Sequence, residues 1–145
     1  QEEAFDAEAY KFLFIRSPLA EQVTNALARC GGLSPRLWLD VEDGTSLVTW
    51  ALWVDQLQRA VWTCQEAGVE PGIYTRAGAW RTLTGNNLAF HDLPLWDALY
   101  SQDGKPNPSV FNPYGGWSKF DVRQYHDTMD IGLTVSVDLN LRWRH

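Results

Sequence analysis

Short apolar runs alternate with amphipathic helical segments through the first two-thirds of this chain, and that order constrains its fold more than any other feature. Strands are predicted at 9–15, 37–42, 71–75 and 94–100, and helices at 19–30, 77–83 and from a cap at Thr45 or Ser46 to about Ala67. A helix between two strands carries the chain back along the sheet, so the strands that it joins run parallel. The order therefore predicts an α/β domain with a parallel sheet.

The last third of the chain lacks helical periodicity. The segment 101–118 is rich in proline and glycine and is predicted to be a long loop, followed by strands at 121–126 and 135–141. Residues 1–8 are acidic and polar, and we expect them to fray. No linker or repeat divides the 145 residues, a length that suits one domain spanning 1–145.

Charge and composition argue against several functions. The formal net charge is −6 and no Lys/Arg cluster is present, which argues against nucleic acid as a partner. No run approaches the roughly 18 apolar residues of a membrane span. Cys30 and Cys64 fit no metal signature, and the sequence leaves open whether they pair or remain free thiols.

Asp40 and Glu42 are the sharpest candidates for chemistry. Strand side chains alternate, so these two carboxylates point the same way from a strand end, about 6.6 Å apart along the backbone. Carboxyl ends of parallel strands face the ligand crevice, and two carboxylates held together there repel, which raises one pKa. Such a pair suits glycosidic bond cleavage, which uses one protonated carboxyl and one carboxylate. The alternative at this stage is an acidic strand end that simply enters solvent.

Other features are weaker alone. Asp138 lies between apolar residues of a late strand and faces away from them. The chain holds eight Trp, five Tyr and six Phe, which are either core residues or platforms on which sugar rings stack.

Five short motifs, taken in order, resemble the glycoside hydrolase family 25 lysozymes, the Chalaropsis-type muramidases. The motifs are Leu-Trp-Leu-Asp-Val-Glu at 37–42, Pro-Gly-Ile-Tyr-Thr at 71–75 with Trp80 beyond it, Leu-Trp-Asp-Ala-Leu-Tyr at 95–100, Val-Arg-Gln-Tyr at 122–125 and Val-Asp-Leu-Asn at 137–140. The aromatic run at 9–12 is similar to the strand that precedes them in the family, so the resemblance covers residues 9–141.

The resemblance implies a modified β/α barrel, similar to a TIM barrel, that hydrolyses the β-1,4 bond between N-acetylmuramic acid and N-acetylglucosamine in peptidoglycan. It implies Glu42 as general acid, Asp40 as the partner carboxylate that steers the N-acetyl group or positions water, and Asp138 as a further acid of the groove. The residues that it implies for the sugar-binding cleft are Tyr10, Tyr74, Trp96, Tyr100 and Gln124. It implies no metal or organic cofactor, and action outside the cytoplasm or after release at cell lysis.

The family's barrel opens with a strand bearing an Asp-x-Ser motif, and no such motif precedes Tyr10 here. We therefore expect a barrel that lacks its first strands, with an open edge that a missing N-terminal segment or a partner chain fills. Two alternatives to the muramidase follow. One is a non-catalytic descendant that binds glycan or serves in a larger assembly, and the other is a glycosidase for another amino-sugar polymer such as chitin.

Overall fold

The computed structural model describes residues 8–30, 32, 34–44, 48–130 and 136–142, with the backbone alone at 127–130 and 136–139. The strands are β1 (Ala9–Phe12), β2 (Arg36–Asp40), β3 (Glu70–Thr75), β4 (Leu95–Ala98), β5 (Val122–Asp130) and β6 (Ser136–Arg142). The helices are α1 (Leu19–Cys30), α2 (Trp50–Glu66) and α3 (Ala77–Thr84).

The strands form one sheet in the order β1-β2-β3-β4-β5-β6. Strands β1 to β5 are parallel, and β6 pairs with β5 in the antiparallel sense. The three helices provide the crossovers from β1 to β4, and the long loop predicted at 101–118 stands between β4 and β5. The predicted parallel α/β architecture is confirmed.

The helix boundaries follow local chemistry. Helix α1 spans the predicted residues, with Leu19 and Val23 buried on its apolar face. Helix α2 starts later than predicted: Thr49 is its N-cap, and its hydroxyl accepts a hydrogen bond from the backbone amide of Leu52 at 3.2 Å. The predicted caps Thr45 and Ser46 lie outside the described residues, and the prediction that one of them caps the helix was wrong because Thr49 satisfies the first-turn amide.

Alternation along β2 separates the core from the site. Leu37, Leu39 and Val41 are buried in the cluster that the helices share with one face of the sheet. Trp38 and Asp40 lie on the opposite face, beside Gly72 and Tyr74 of β3 in the sheet register. The site is therefore built on the face opposite the three described helices.

The two edges of the described sheet, β1 and β6, meet through an ion pair. Arg142 at the end of β6 contacts Glu8, which directly precedes β1, with 3.0 Å between Nη1 and Oε1. The Glu8 side chain is only 12% exposed, and it also accepts a hydrogen bond from the indole of Trp38 at 2.7 Å. The expectation that Glu8 frays with the N-terminus was wrong, because this carboxylate is held by partners from β2 and β6.

A buried network anchors the long loop to the outer face of the sheet. Arg123 of β5 is 1% exposed and pairs with Asp97 of β4 at 2.9 Å. Its Nη1 donates to the backbone oxygens of Asn107 and Val110, at 3.3 and 2.8 Å. The hydroxyl of Tyr114 donates to Asp97 at 2.7 Å, so the loop is fixed at both ends of the network.

Candidate active site

Asp40 and Glu42 lie together at the carboxyl end of β2. Asp40 is 7% exposed, and its Oδ1 is enclosed and accepts no hydrogen bond from the described residues. Glu42, two residues beyond, has a side chain that is 26% exposed. Most buried polar atoms find a partner, so an unpartnered carboxylate oxygen calls for an explanation such as a catalytic or ligand-binding role. The enclosed oxygen of Asp40 therefore marks this end of β2 as a candidate site.

The two carboxyl groups hold protons unusually tightly. Burial, followed by repulsion from Glu42, raises the pKa of Asp40 to about 8. Burial also raises the pKa of Glu42, although the charge of Arg76 opposes this. The pair consequently retains at least one proton at neutral pH. When no ligand is bound, this proton resides mainly on Asp40, the more deeply buried of the two carboxyl groups.

Two tyrosines and a glutamine form the next layer. Gln124 of β5 is 4% exposed, and its Oε1 accepts hydrogen bonds from the hydroxyl of Tyr74 and, at 3.4 Å, from that of Tyr100. Burial and the negative charges of Glu42 and Asp40 raise the pKa of Tyr74, so its hydroxyl remains a neutral donor. These groups present hydrogen-bonding atoms beside the carboxyl pair.

An aromatic floor lies on the same face. Trp96 of β4 packs edge-to-face against Trp38, with ring centroids 5.5 Å apart, and against Tyr74 at 5.1 Å. Its indole nitrogen donates to Oδ1 of Asn140 on β6 at 2.9 Å, which fixes the ring. Trp38 is fully buried, whereas Trp96 is half-buried and open to a ligand. A rigid half-buried indole next to polar groups suits the flat face of a sugar ring.

Arg76 is a member of the site that the sequence prediction missed. It directly follows β3, and its Nε lies 3.9 Å from Oε1 of Glu42. The available signal was its position, since a residue directly after a parallel strand lies at the ligand edge of the sheet. Asn140, which orients Trp96, was contained in a predicted motif but was given no role.

The structure brings together most of the predicted site residues. Asp40, Glu42, Tyr74, Trp96, Tyr100 and Gln124 lie on one face of the sheet or at its carboxyl edge. Tyr10 lies on the edge strand β1, opposite Trp38 in the sheet register. It is 68% exposed and lines a cavity of about 340 Å³ with Gln22, Arg29 and other residues of α1. Asp138 is placed on β6, and its side chain lies outside the described residues.

Two further observations bear on other functions. Within the described ranges, no three His, Cys, Asp or Glu side chains are grouped so as to hold a metal ion, and no helix is both long and apolar enough to cross a membrane. Cys30 and Cys64 are free thiols, and burial raises the pKa of Cys64 to about 11.

Comparison with known proteins points to one family. A family model described as Lysozyme-like protein 1 matches residues 15–125. A relative named Probable GH family 25 lysozyme 2, from Dictyostelium discoideum, is 33% identical over 121 residues, which are 83% of this chain and 56% of that protein. Counting factor 50 from the same organism is 34% identical over 108 residues, which are 70% of this chain and 34% of that protein.

The fold has close counterparts among solved structures. The muramidase from Acremonium alcalophilum superposes with a TM-score of 0.77 at 24% identity, covering 97% of this chain and 69% of that one. This likeness confirms the predicted modified β/α barrel architecture. The chain spans about half the length of the first relative and a third of the second.

Proposed function

Since this chain belongs to the lysozyme-like family within glycoside hydrolase family 25, we propose that it hydrolyses peptidoglycan at the β-1,4 bond between N-acetylmuramic acid and N-acetylglucosamine. The observation that carries the proposal is the Asp40–Glu42 pair, two carboxyl groups with raised pKa values on the face of the sheet opposite the three described helices. Cleavage of a glycosidic bond needs a proton for the leaving oxygen and a negative charge for the developing cation. A pair that retains a proton at neutral pH supplies both.

Glu42 is the proposed general acid. Its side chain is more exposed than that of Asp40, so it is the carboxyl that a glycosidic oxygen reaches. Asp40 is the proposed partner, and its enclosed carboxylate steers the substrate's N-acetyl group or a water molecule. When the proton resides on Glu42, Asp40 carries the charge, and its low-dielectric position strengthens its action on the developing cation. Asp138 is proposed as a further acid of the groove.

The proposed cleft runs over Trp96 and past Tyr74, Tyr100 and Gln124. Trp96 offers a stacking surface, while the hydroxyls and the carboxamide offer donors and acceptors to sugar hydroxyls and acetamido groups. A cavity of about 620 Å³ adjoins Tyr100 and is lined mainly by residues of the long loop. Tyr10 is proposed as a more distant contact, since it is exposed at the edge strand. Peptidoglycan strands as substrate imply action outside the cytoplasm or after release at lysis.

Clearing of bacterial cell walls tests the proposal. The wild-type chain is expected to clear a wall suspension and to release new reducing ends, and Glu42→Gln is expected to lose this activity while it keeps the wild-type circular dichroism and urea midpoint. Glu66→Gln, an exposed carboxylate on α2, is the matched control and should clear walls at the wild-type rate. Equal turnover by Glu42→Gln would falsify the assignment of the general acid.

A non-catalytic role is the second candidate, and the similarity to a counting factor favours it, because that relative's name specifies no lysozyme. In this role the aromatic face binds glycan, and the edge strand β1 accepts a strand from a partner. The two candidates differ in the assay above. A chain that binds walls without clearing them, and whose binding Trp96→Ala abolishes, has the second function.

A further inference from the structure

Arg76 occupies an unusual place for an arginine, beside a carboxyl group that has to carry a proton. It lies between β3 and α3 in extended backbone conformation, with φ −129° and ψ 155°, and its side chain makes no capping hydrogen bond to the helix. The side chain is 64% exposed and reaches over the end of the sheet toward Glu42. Its position is therefore set by the backbone, while the guanidinium remains accessible to a ligand.

The contact between Arg76 and Glu42 is loose. Their closest described atoms are 3.9 Å apart, which is beyond hydrogen-bond distance. Structural arginines elsewhere are held more closely, since Arg36 pairs with Glu70 at 2.7 Å and Arg123 with Asp97 at 2.9 Å. Arg76 thus acts on Glu42 as a nearby charge and keeps its planar set of donors available.

The other described groups that interact with Glu42 are an acid and a neutral donor. Asp40 lies two residues earlier, at the end of β2, and Tyr74 lies on β3. Within the described part of the chain, Arg76 is the cation whose charge acts on Glu42. Among the described residues, Arg76 is therefore the cation that a negatively charged ligand group meets when it binds beside the proposed general acid.

We propose that Arg76 is a specificity-determining residue: its guanidinium rests against Glu42 in the free chain and pairs with a carboxylate substituent of the glycan when substrate binds. The inference rests on the proposed function, because it places the glycan beside Glu42. The substrate class that it selects is an amino-sugar polymer with substituents that end in a free carboxylate near the scissile bond.

The pairing has a chemical consequence for Glu42. Burial raises the pKa of Glu42, and the positive charge of Arg76 beside it offsets part of that rise, which reduces the fraction of Glu42 that carries a proton for the leaving oxygen. A substrate carboxylate that draws Arg76 away removes this effect, and Glu42 takes up a proton in its partly buried position. A neutral glycan leaves Arg76 in place. The pairing of Arg76 with a substrate carboxylate thus favours anionic glycans twice, once in binding and once in proton transfer from Glu42.

The test compares two forms of one glycan. Peptide-free peptidoglycan chains with free lactyl carboxylates are one form, and the same chains with these groups converted to primary amides are the other. Binding is measured in chains that also carry Glu42→Gln, and kcat/KM in chains that retain Glu42. Both are measured at low ionic strength, because salt screens an exposed ion pair. The variants are Arg76→Gln, the charge-conserving Arg76→Lys, and Arg59→Gln, which removes an equally exposed charge from the outer face of α2.

We expect the Glu42→Gln chain to bind the carboxylate form about fivefold more tightly than the amide form, as for a single exposed ion pair. Arg76→Gln should abolish this preference, Arg76→Lys should retain part of it and Arg59→Gln all of it. In cleavage, Arg76→Gln should lower kcat/KM for the carboxylate form and raise it for the amide form. A damaged fold would lower kcat/KM for both forms, so opposite changes distinguish the two causes.

The outcomes separate this inference from the proposed function. Cleavage with the same preference in Arg76→Gln as in wild type overturns the role of Arg76 and leaves the hydrolase intact. An Arg76-dependent preference in binding, without cleavage of either form by the wild-type chain, supports the anionic subsite and overturns the hydrolase. Absence of binding to both forms overturns the inference.

Discussion

Arg142 and Glu8 form an ion pair between residues 134 positions apart, with Nη1 of Arg142 donating to Oε1 of Glu8 at 3.0 Å. The pair joins the last strand of the described sheet to the residue before the first strand, where backbone pairing links neither edge to the other. Glu8 also accepts from Trp38, so the contact reaches the aromatic floor of the site. The ion pair therefore links both edges of the described sheet to the face that bears the carboxyl pair.

Removal of this pair should weaken the fold modestly. Burial opposes ionisation of Glu8, but hydrogen bonds from Arg142 and Trp38 hold the pKa of Glu8 below its ordinary value. Glu8→Gln and Arg142→Gln should each lower the free energy of unfolding by about 1 kcal/mol at neutral pH. The double variant should lose less than the sum of the two, which urea titrations in a double-mutant cycle measure. Strict additivity would show that the pair contributes no coupling.

Gly72 of β3 supplies the space that Trp38 fills. A Cβ atom at Gly72 would lie 2.5 Å from Cε3 of Trp38, and the indole is fully buried. Gly72→Ala should therefore destabilise the chain by about 1–3 kcal/mol through overpacking, measured as a shift of the urea midpoint.

Gly78 offers the matched control for this substitution. It lies in α3, where an added Cβ meets nothing within 4 Å. Gly78→Ala should stabilise the chain by about 0.5–1 kcal/mol, because alanine favours the helix. Equal effects of the two substitutions would show that the Trp38 contact is not tight.

Tyr74→Phe should reduce catalysis more than binding. The lost hydroxyl donates to Gln124 and lies beside Glu42, so the variant leaves the carboxamide of Gln124 held only by the longer hydrogen bond from Tyr100 among those described here. We expect kcat on peptidoglycan to fall about tenfold, which corresponds to about 1.4 kcal/mol in the barrier, with little change in KM. Tyr125→Phe, at the residue that follows Gln124 on β5, is the control and should retain kcat. A rise in KM alone would assign Tyr74 to ground-state binding.

Local signals allowed prediction where a feature depends on neighbours in the chain. The bounds of α1 follow from its apolar spacing, and the same-face placement of Asp40 and Glu42 follows from strand alternation. The role of Glu8 was not predictable in this way, because its partners lie 30 and 134 positions away. The effect of Arg76 on Glu42 also depends on a distant contact, because the pairing of β2 with β3 is what places the two residues side by side.

The deep burial of Asp40 makes the stability of the fold depend on pH. Its pKa is about 8 in the folded chain against an ordinary value of 3.8, so the folded state binds more protons than the unfolded state between these values. The stabilisation is fully present below about pH 4, and it is lost as the pH rises through about 8. The loss amounts to about 1.4 kcal/mol per pH unit within the window.

Asp40→Asn removes this titration and isolates its contribution from those of other groups. Urea unfolding at a series of pH values should show the variant becoming more stable relative to wild type as the pH rises from about 4 to about 8. Asp55→Asn, at a carboxylate that is 53% exposed on α2, is the matched control at an exposed site. Parallel pH curves for wild type and Asp40→Asn would contradict a buried, proton-retaining Asp40. The gain in the free energy of unfolding from Asp40→Asn at about pH 8, relative to about pH 4, would measure how much stability the fold loses by burying this carboxyl group next to Glu42.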